Sequence, residues 1–414
     1  MIIENVRVFD GEHVGGPYDV ATQDGVITQI RPAHRRPDRP DDVVDGSGAT
    51  LLPGLIDAHA HVCTTESNLE LALAFGVTTL LDMFEFPPDR LTALRTAAAE
   101  RNDLADLRSA GTLVSATDGL PGVRIPWIPT IAHPDQADEF VAGRRDEGSD
   151  YIKIVIDDGA SHGQTLPALD RATVAAVVSA AHRRGLSTVA HISGVWSVEV
   201  ALDAGVDILT HLPLEAPLGR DLVRRAADDR RVVVPTLTMM EMCATERGRG
   251  LADDPRVSGY LPEHAHAAIA HGQVGLPVAL GKRDFAHALA SARALSEAGV
   301  PLLAGTDANN APGRDAPVVN GASMHRELEL LVEAGLTARA ALAAATSAPA
   351  RYFGLADRGR IAPGMRADLL LVRGDPTEDI TATRSILGVW RRGVRFDREG
   401  FRRRLVRDTE GTRR

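Results

Sequence analysis

Along the first 50 residues, apolar and polar positions alternate in short runs: Ile2–Val8, Val20–Thr22, Val26–Ile30 and Val43–Asp45. This period-two pattern predicts half-buried strands. Asp24-Gly25, between the second and third runs, is a hairpin signal. The Pro-, Arg- and Asp-rich stretch from Pro32 to Asp42 reads as a loop. From residue 51 to about 345, apolar runs alternate with Ala- and Leu-rich helical segments. The predicted strands there are Leu55–Val62, Val77–Asp82, Ser109–Ser115, Tyr151–Ile156, Ser187–His191, Val206–His211, Val232–Thr236 and Leu302–Asp307. Eight strands interleaved with helices predict an α/β chain built as a (β/α)8 TIM barrel. A doubly wound sheet is the second choice, without a Gly-rich phosphate fingerprint to support it.

Residues 240–295 exceed what one crossover helix needs and read as a helical insertion. Its His264, His266 and His271 are assigned to an exposed polar face rather than to a metal. Strand character returns at Arg360–Ala362, Asp368–Arg373, Ile386–Trp390 and Val394–Asp397. The economical arrangement is a small β-sandwich from residues 1–50 and 360–414 around a barrel of residues 51–359. Arg402-Arg-Arg and Arg413-Arg414 read as a frayed, solvated tail.

Composition narrows the class. The 414 residues are 44% hydrophobic and carry a formal net charge of -10, which argues against nucleic-acid binding through broad electrostatics. No apolar run approaches the ~20 residues of a membrane span, and the first ten residues read as a strand rather than a signal peptide. Two cysteines, Cys63 and Cys243, make no disulfide framework, and a reducing cytoplasm is expected. Cys63 is assigned as a small buried hydrophobe on the strand of the first histidines. The partner expected is a small-molecule substrate, with neither nucleic acid nor membrane; no interface signature fixes whether the chain forms a homo-oligomer.

The candidate chemistry begins with His59 and His61, two residues apart on an apolar segment, so that both side chains point the same way. Such a pair is either two core histidines bonded to backbone carbonyls or a clamp for one divalent cation. Polar residues recur near the C-terminal ends of other predicted strands: Lys153, His191, His211 and Asp307. In a barrel those ends converge on one mouth. Lys153, between Ile152 and Ile154, is the outlier, because desolvating an ammonium is costly and burial lowers its pKa. A neutral amine can take up carbon dioxide as a carbamate, whose two oxygens could bridge two cations.

These residues resemble the amidohydrolase superfamily, and more closely its imidazolonepropionase-like and carboxylated-lysine dipeptidase (prolidase-like) branch. The resemblance is carried by Pro53-Gly-Leu-Ile-Asp-Ala-His-Ala-His61, Tyr151-Ile-Lys-Ile154, His191, His211 and Ala304-Gly-Thr-Asp307, with Ala344-Ala-Thr346 and the run Ile361–Leu369. It implies a metal-dependent hydrolase with two divalent metal ions, Zn2+ by donor type. His59 and His61 would hold the more buried ion and His191 and His211 the second. A CO2-derived carbamate on Lys153 would bridge both, and Asp307 would bind the first. It also implies a bridging hydroxide that attacks an amide, lactam or related acyl carbonyl, with Asp307 as the catalytic proton shuttle.

Two departures bear on substrate. His191 is followed by Ile192-Ser-Gly-Val195 and strand four supplies Lys153, which disfavours deamination. Dipeptidase relatives often carry a Tyr before the strand-five histidine and a His after strand three; here stand Ala190 and Thr117-Asp118-Gly119-Leu120. The alternatives are a dipeptidase of Xaa-Pro type, an ester or lactone hydrolase, and a retired barrel serving as a binding or scaffold protein. Loops Thr117–Thr130, Asp157–Thr165, Met239–Glu241 and Asn309–Asn320 are expected to face substrate, with Trp127, His162, Met239 and Met240 lining a partly apolar pocket. Trp196, His325 and Glu327 are assigned to packing.

Overall fold

The computed structural model describes residues 1–34, 43–244, 249–272, 283–311 and 316–412, apart from the side chains of His162, Arg249 and 408–412. Its strands, in chain order, are β1 (Ile2–Phe9), β2 (Val14–Gln23), β3 (Val26–Pro32), β4 (Val43–Asp45), β5 (Ala49–Pro53), β6 (Leu55–Ala60), β7 (Val77–Asp82), β8 (Asp106–Ser109), β9 (Ile152–Ile156), β10 (Thr188–Ile192), β11 (Ile208–Thr210), β12 (Val232–Val234), β13 (Leu369–Arg373), β14 (Ile386–Arg391) and β15 (Val394–Arg395). Both chain ends share one eight-stranded sheet of order β15-β14-β13-β5-β1-β2-β3, with β4 on β1. Asp24 and Gly25 close the β2–β3 hairpin with φ of 49° and 82°, the backbone a two-residue Asp-Gly turn demands. The second predicted strand, Val20–Thr22, covers only the C-terminal part of β2, which begins at Val14 and includes Gly15-Gly16-Pro17. In the structure those residues stay within β2, whose pairing with β1 absorbs two register shifts.

The central strands run parallel in two sheets, β6-β7-β8 and β12-β11-β10-β9, and alternate with helices. The helix Arg171–Arg183 shows why such segments form. Asp170 caps it by accepting from the backbone N–H of Thr173 at 2.7 Å, and Val174, Val177, Val178 and Ala181 bury one stripe. Parallel bridges link the two sheets: Val114 to Ile154 on one side, and Leu302 to Val233 and Ala308 to Ala60 on the other.

Several expected strands differ. The third begins at Asp106 and stops at Ser109, because Gly111 turns the chain at φ 60°; pairing resumes at Val114. Leu302–Asp307 forms isolated bridges in place of a ladder, since Thr306 donates its N–H to the Asp57 side chain (3.0 Å) as well as to His59 O (3.1 Å), and Asp307 has φ 58°. Arg360–Ala362 forms no strand; Ile361 N–H instead bonds Asp10 O at 3.0 Å. The stretch read as a frayed tail is a helix, Arg398–Thr412, on which Arg402 pairs with Glu399 and Arg404 with Glu70; Arg413 and Arg414 lie outside the described residues. Within the region read as an insertion, 245–248 and 273–282 likewise lie outside them, and the helix Glu263–His271 carries the three histidines.

A buried charge cluster fastens the terminal sheet to β8. Asp106 receives Arg366 at 3.0 Å and Arg391 at 3.2 Å, and also pairs with Arg358, whose side chain is 3% exposed. Burial alone would raise the Asp106 carboxyl, but the three guanidiniums outweigh it and hold the pKa well below the usual carboxylate range. A folded-state pKa depressed below 3.8 adds stability that is present above about pH 4 and is lost as pH falls through the folded value. Asp106→Asn should therefore lower unfolding stability by about 3 kcal/mol at neutral pH. The difference from wild type, measured by urea denaturation, should shrink at pH 4 and below; a pH-independent difference would contradict the ion-pair account.

Candidate active site

The site lies where the C-terminal ends of the parallel strands meet. His59 stands one residue before the end of β6, and His61 just beyond it. Their Nε2 atoms lie 3.3 and 3.1 Å from the same carboxylate oxygen, Oδ1 of Asp307. His211, directly after β11, places Nδ1 at 3.9 Å from Asp307 Oδ2. Ring centroids of His59 and His211 are 4.8 Å apart, and those of His191 and His211 are 4.6 Å apart. One ligand atom from each of His59, His211 and Asp307 lies within 4.8 Å of the others, a spacing that could hold one ion.

Each of these side chains is aimed by a specific local device. Asp57, two residues before His59, is fully buried; it accepts from the backbone N–H of His59 at 3.1 Å and from Thr306 N–H and Oγ1 at 3.0 and 2.6 Å. It therefore locks β6 to the segment that delivers Asp307. Burial pushes the Asp57 carboxyl up to about 7, against the pull of those donors. His211 has φ 74°, and its Nδ1 lies 2.8 Å from Oγ1 of Thr236, a β-branched residue at φ 46°. Two non-glycine residues in the left-handed region, one of them β-branched, persist only where surrounding contacts over-determine them. Here the contact is Glu327, which accepts from Leu237 N–H (3.0 Å), Thr238 N–H (2.7 Å) and Thr238 Oγ1 (2.9 Å). Those are the first residues of the helix Leu237–Ala244, so Glu327 fixes its start and, through it, Thr236.

The electrostatics favour neutral nitrogen ligands around an ionised acid. Burial drives His59 down to about 3, with Lys153 adding to the effect, so its imidazole is neutral near pH 7. Burial likewise holds His211 well below 6.5, reinforced by His191. Burial would raise Asp307, but His59, His61 and His211 hold it well below 3.8. Lys153, in β9 and 3% exposed, donates from Nζ to Thr210 Oγ1 at 2.9 Å, and Thr210 in turn donates to Ala190 O. Burial lowers the Lys153 amine to about 7, opposed by Asp307 and Asp82. His191 is turned so that Nε2 lies 3.1 Å from Asp157 Oδ2, which leaves Nδ1 as its other nitrogen.

This donor set fits a divalent cation. Imidazoles and a carboxylate converge, one nitrogen of His211 and one of His191 are anchored by Thr236 and Asp157, and the buried Nδ1 of His59 makes no hydrogen bond.

Of the substrate-facing residues expected from sequence, Trp127 stands 69% exposed on the loop between Ala116 and Ile131. Met239 and Met240 lie in the helix Leu237–Ala244, not in a loop, and pack into the main hydrophobic core. The helix extends through the expected loop because Glu327 caps its start, and Glu241 is taken up by Arg326 at 2.7 Å. The His162 side chain and residues 312–315 of the 309–320 loop lie outside the described residues. Cys63 follows β6 rather than lying on it; at φ 54° it sets Sγ 3.7 Å from Asn309 O. Trp196 packs against the core, and His325 lies 3.0 Å from Thr383 Oγ1 and 3.2 Å from Phe75 O.

Sequence reasoning left Asp57, Asp157, Thr210, Thr236 and Glu327 without a role at the site. Asp157 had a signal, an acidic residue directly after a fully apolar strand end; Thr236 and Glu327 meet only through the tertiary fold.

A family model described as "Amidohydrolase family" matches residues 50–395. An uncharacterized protein of Mycobacterium tuberculosis is 27% identical over 350 residues, 82% of each chain. An imidazolonepropionase of Deinococcus deserti is 37% identical over 126 residues, 30% of this chain and 27% of its own. Among solved structures, a Xaa-Pro dipeptidase with bound methionine in its active site superimposes with a TM-score of 0.76 at 22% identity, over 95% of this chain and 99% of its own.

Glu327→Ala would leave two N–H groups at the start of the Leu237–Ala244 helix without their acceptor. It should destabilise the protein by about 2 to 3 kcal/mol in thermal or urea unfolding, as loss of a buried acceptor does.

Proposed function

The chain belongs to the amidohydrolase family, and from that premise we propose that it is a dinuclear metal-dependent hydrolase of amide, lactam or related acyl C–N bonds. The observation that supports this reading is the convergence of His59, His61 and His211 on an ionised Asp307, with a buried Lys153, its amine lowered to about 7, reaching past β10 to Thr210 on β11. His59, His61 and Asp307 would hold one ion, and His191 and His211 the second. Lys153 would contribute as a carbamate: its neutral amine attacks the carbon of CO2, an N–C bond forms as one C–O π bond opens onto oxygen, one N–H proton leaves to solvent, and the resulting anion would supply oxygen ligands. Divalent metals bound there, Zn2+ by the character of the donors, would acidify a water and polarise the substrate carbonyl.

The chain's own residues then act as follows. Asp307, ionised before substrate arrives, takes the water's proton at a carboxylate oxygen and returns it to the departing nitrogen. Thr210, which receives Lys153 Nζ, and Thr236, which anchors His211 Nδ1, hold their partners in one orientation through that transfer. Asp157 does the same for His191.

The same reading includes the architecture. We infer a closed (β/α)8 barrel of residues 51–359, with a β-sandwich from residues 1–50 and 360–414. The parallel bridges at Val114, Leu302 and Ala308 support closure, and the shared terminal sheet supports the second unit. The partner in this reading is a small molecule. A reducing, cytoplasmic setting belongs to the same reading; among the described residues no helix is long and apolar enough to cross a membrane.

Protein purified without chelator from metal-replete cells should contain close to two divalent ions per chain by plasma emission spectrometry; metal-free protein would overturn the reading. Lys153→Ala should abolish amide hydrolysis, with partial recovery on adding formate or acetate. Full activity in that variant would remove the two-metal scheme. Asp307→Asn should lower kcat by about 10²- to 10⁴-fold, and unchanged turnover would exclude it as the proton carrier.

A further inference from the structure

A small apolar cluster, distinct from the main core, stands beside the site. Leu113, Ile128 and Val155 are buried together, with Phe84, Phe86 and Ile125 packed against them. Its position follows from strand geometry. Val155 lies two residues beyond Lys153 and so on the same face of β9. It is also in parallel register with His191 of β10, and side chains of residues side by side in parallel strands share a face. The cluster therefore begins where Lys153 and His191 end. Phe84 and Phe86 follow β7, and Leu113 precedes the Val114 bridge to Ile154, so three neighbouring strand ends build one shelf.

The roof of this shelf is the loop 117–130. Its two ends are tied together: Thr117 Oγ1 lies 3.0 Å from Thr130 Oγ1, and Ile131 N–H donates to Ser115 O at 3.0 Å. Between those ties the loop curls on itself, Val123 N–H bonding Gly119 O at 3.1 Å and Ile128 N–H bonding Ile125 O at 3.2 Å. This compact form points Ile125 and Ile128 at the shelf and leaves Val123 44% and Trp127 69% exposed. The loop's charged residues, Asp118 and Arg124, are both exposed. A substrate group entering beside His191 thus meets six apolar side chains. A charge placed there would be desolvated without a partner, whereas a ring or branched alkyl group would be removed from water at a gain.

We propose that the shelf formed by Phe84, Phe86, Leu113 and Val155 under the 117–130 loop is a binding subsite for an uncharged aromatic or branched-aliphatic group attached next to the bond that is cut. Ile125 and Ile128 of the loop would cover that group. The inference rests on the hydrolase reading for the position of the cut bond, but not for the chemistry of the shelf.

Two measurements on the metal-loaded full chain separate the two ideas. In calorimetric titration with the non-hydrolysable ketones benzylacetone, butanone and levulinate, benzylacetone should bind at least about tenfold tighter than butanone, the scale on which hydrophobic pockets discriminate, and levulinate no tighter than butanone. Ile125→Ser, at a partly exposed position that tolerates a small polar side chain, should bring benzylacetone toward butanone. Equal binding of benzylacetone and butanone would overturn the subsite, as would tightest binding by levulinate with loss in Arg124→Ala. In the kinetic arm, kcat/KM should be at least about tenfold higher for phenylacetanilide than for acetanilide, and lowest for succinanilate. Cleavage of all three at equal rates would overturn the subsite while leaving the hydrolase. Selective binding of benzylacetone without cleavage of any anilide would support the subsite and count against amide hydrolysis.

Discussion

Everything at the site depends on the attachment of the Thr306–Asp307 segment to β6. That attachment is made by Asp57, through the backbone N–H and hydroxyl of Thr306, and by the carbonyl of His59, which accepts from both Thr306 and Asp307. A carboxyl so deeply buried is raised toward neutrality, and the protein tolerates it because three donors converge there. The consequence is geometric. One short stretch at the end of β6 and just beyond it carries two histidines, receives the acid that faces them and fixes its backbone, so the three groups are held in one frame. His211 joins the same frame through Thr236 and the helix that Glu327 caps.

Much of this was legible in the sequence, for a physical reason. His59, His61, Lys153, His191, His211 and Asp307 announce themselves because each breaks an apolar strand pattern, and a polar residue near a buried strand end has few reasons to be there other than chemistry. The structure brings His59, His61, His211 and Asp307 within contact distance, and it stations Lys153 and His191 on the neighbouring strands β9 and β10. What remained hidden were the residues that aim them. Asp57, Thr210, Thr236 and Glu327 look ordinary in sequence, and their roles arise from contacts across long chain separations. The Met239–Glu241 loop was misread because the cap that makes it a helix comes from residue 327.

The terminal sheet was legible in a coarser way. Short alternating runs at both ends implied a shared β unit, and in the structure β5 pairs with both β1 and β13. The breaker-rich Gly15-Gly16-Pro17 segment and the Arg-rich C-terminal segment went the other way. Glycine and proline disfavour strands and the arginines were read as a solvated tail, while strand pairing in one and ion pairs with Glu70 and Glu399 in the other supply order.

That shared sheet also constrains how the chain comes to exist. β5 lies between β1, a near neighbour in sequence, and β13, which leaves the ribosome only after all of the central parallel strands have been made. Until then, Leu51 and Leu52, fully buried in the finished molecule, belong to a strand with one edge unsatisfied. β5 therefore gains its second neighbour only after the central strands have been made, and until then it presents an open apolar β-edge. An apolar edge left open in this way is a place where strand pairing with another copy competes with pairing to β13.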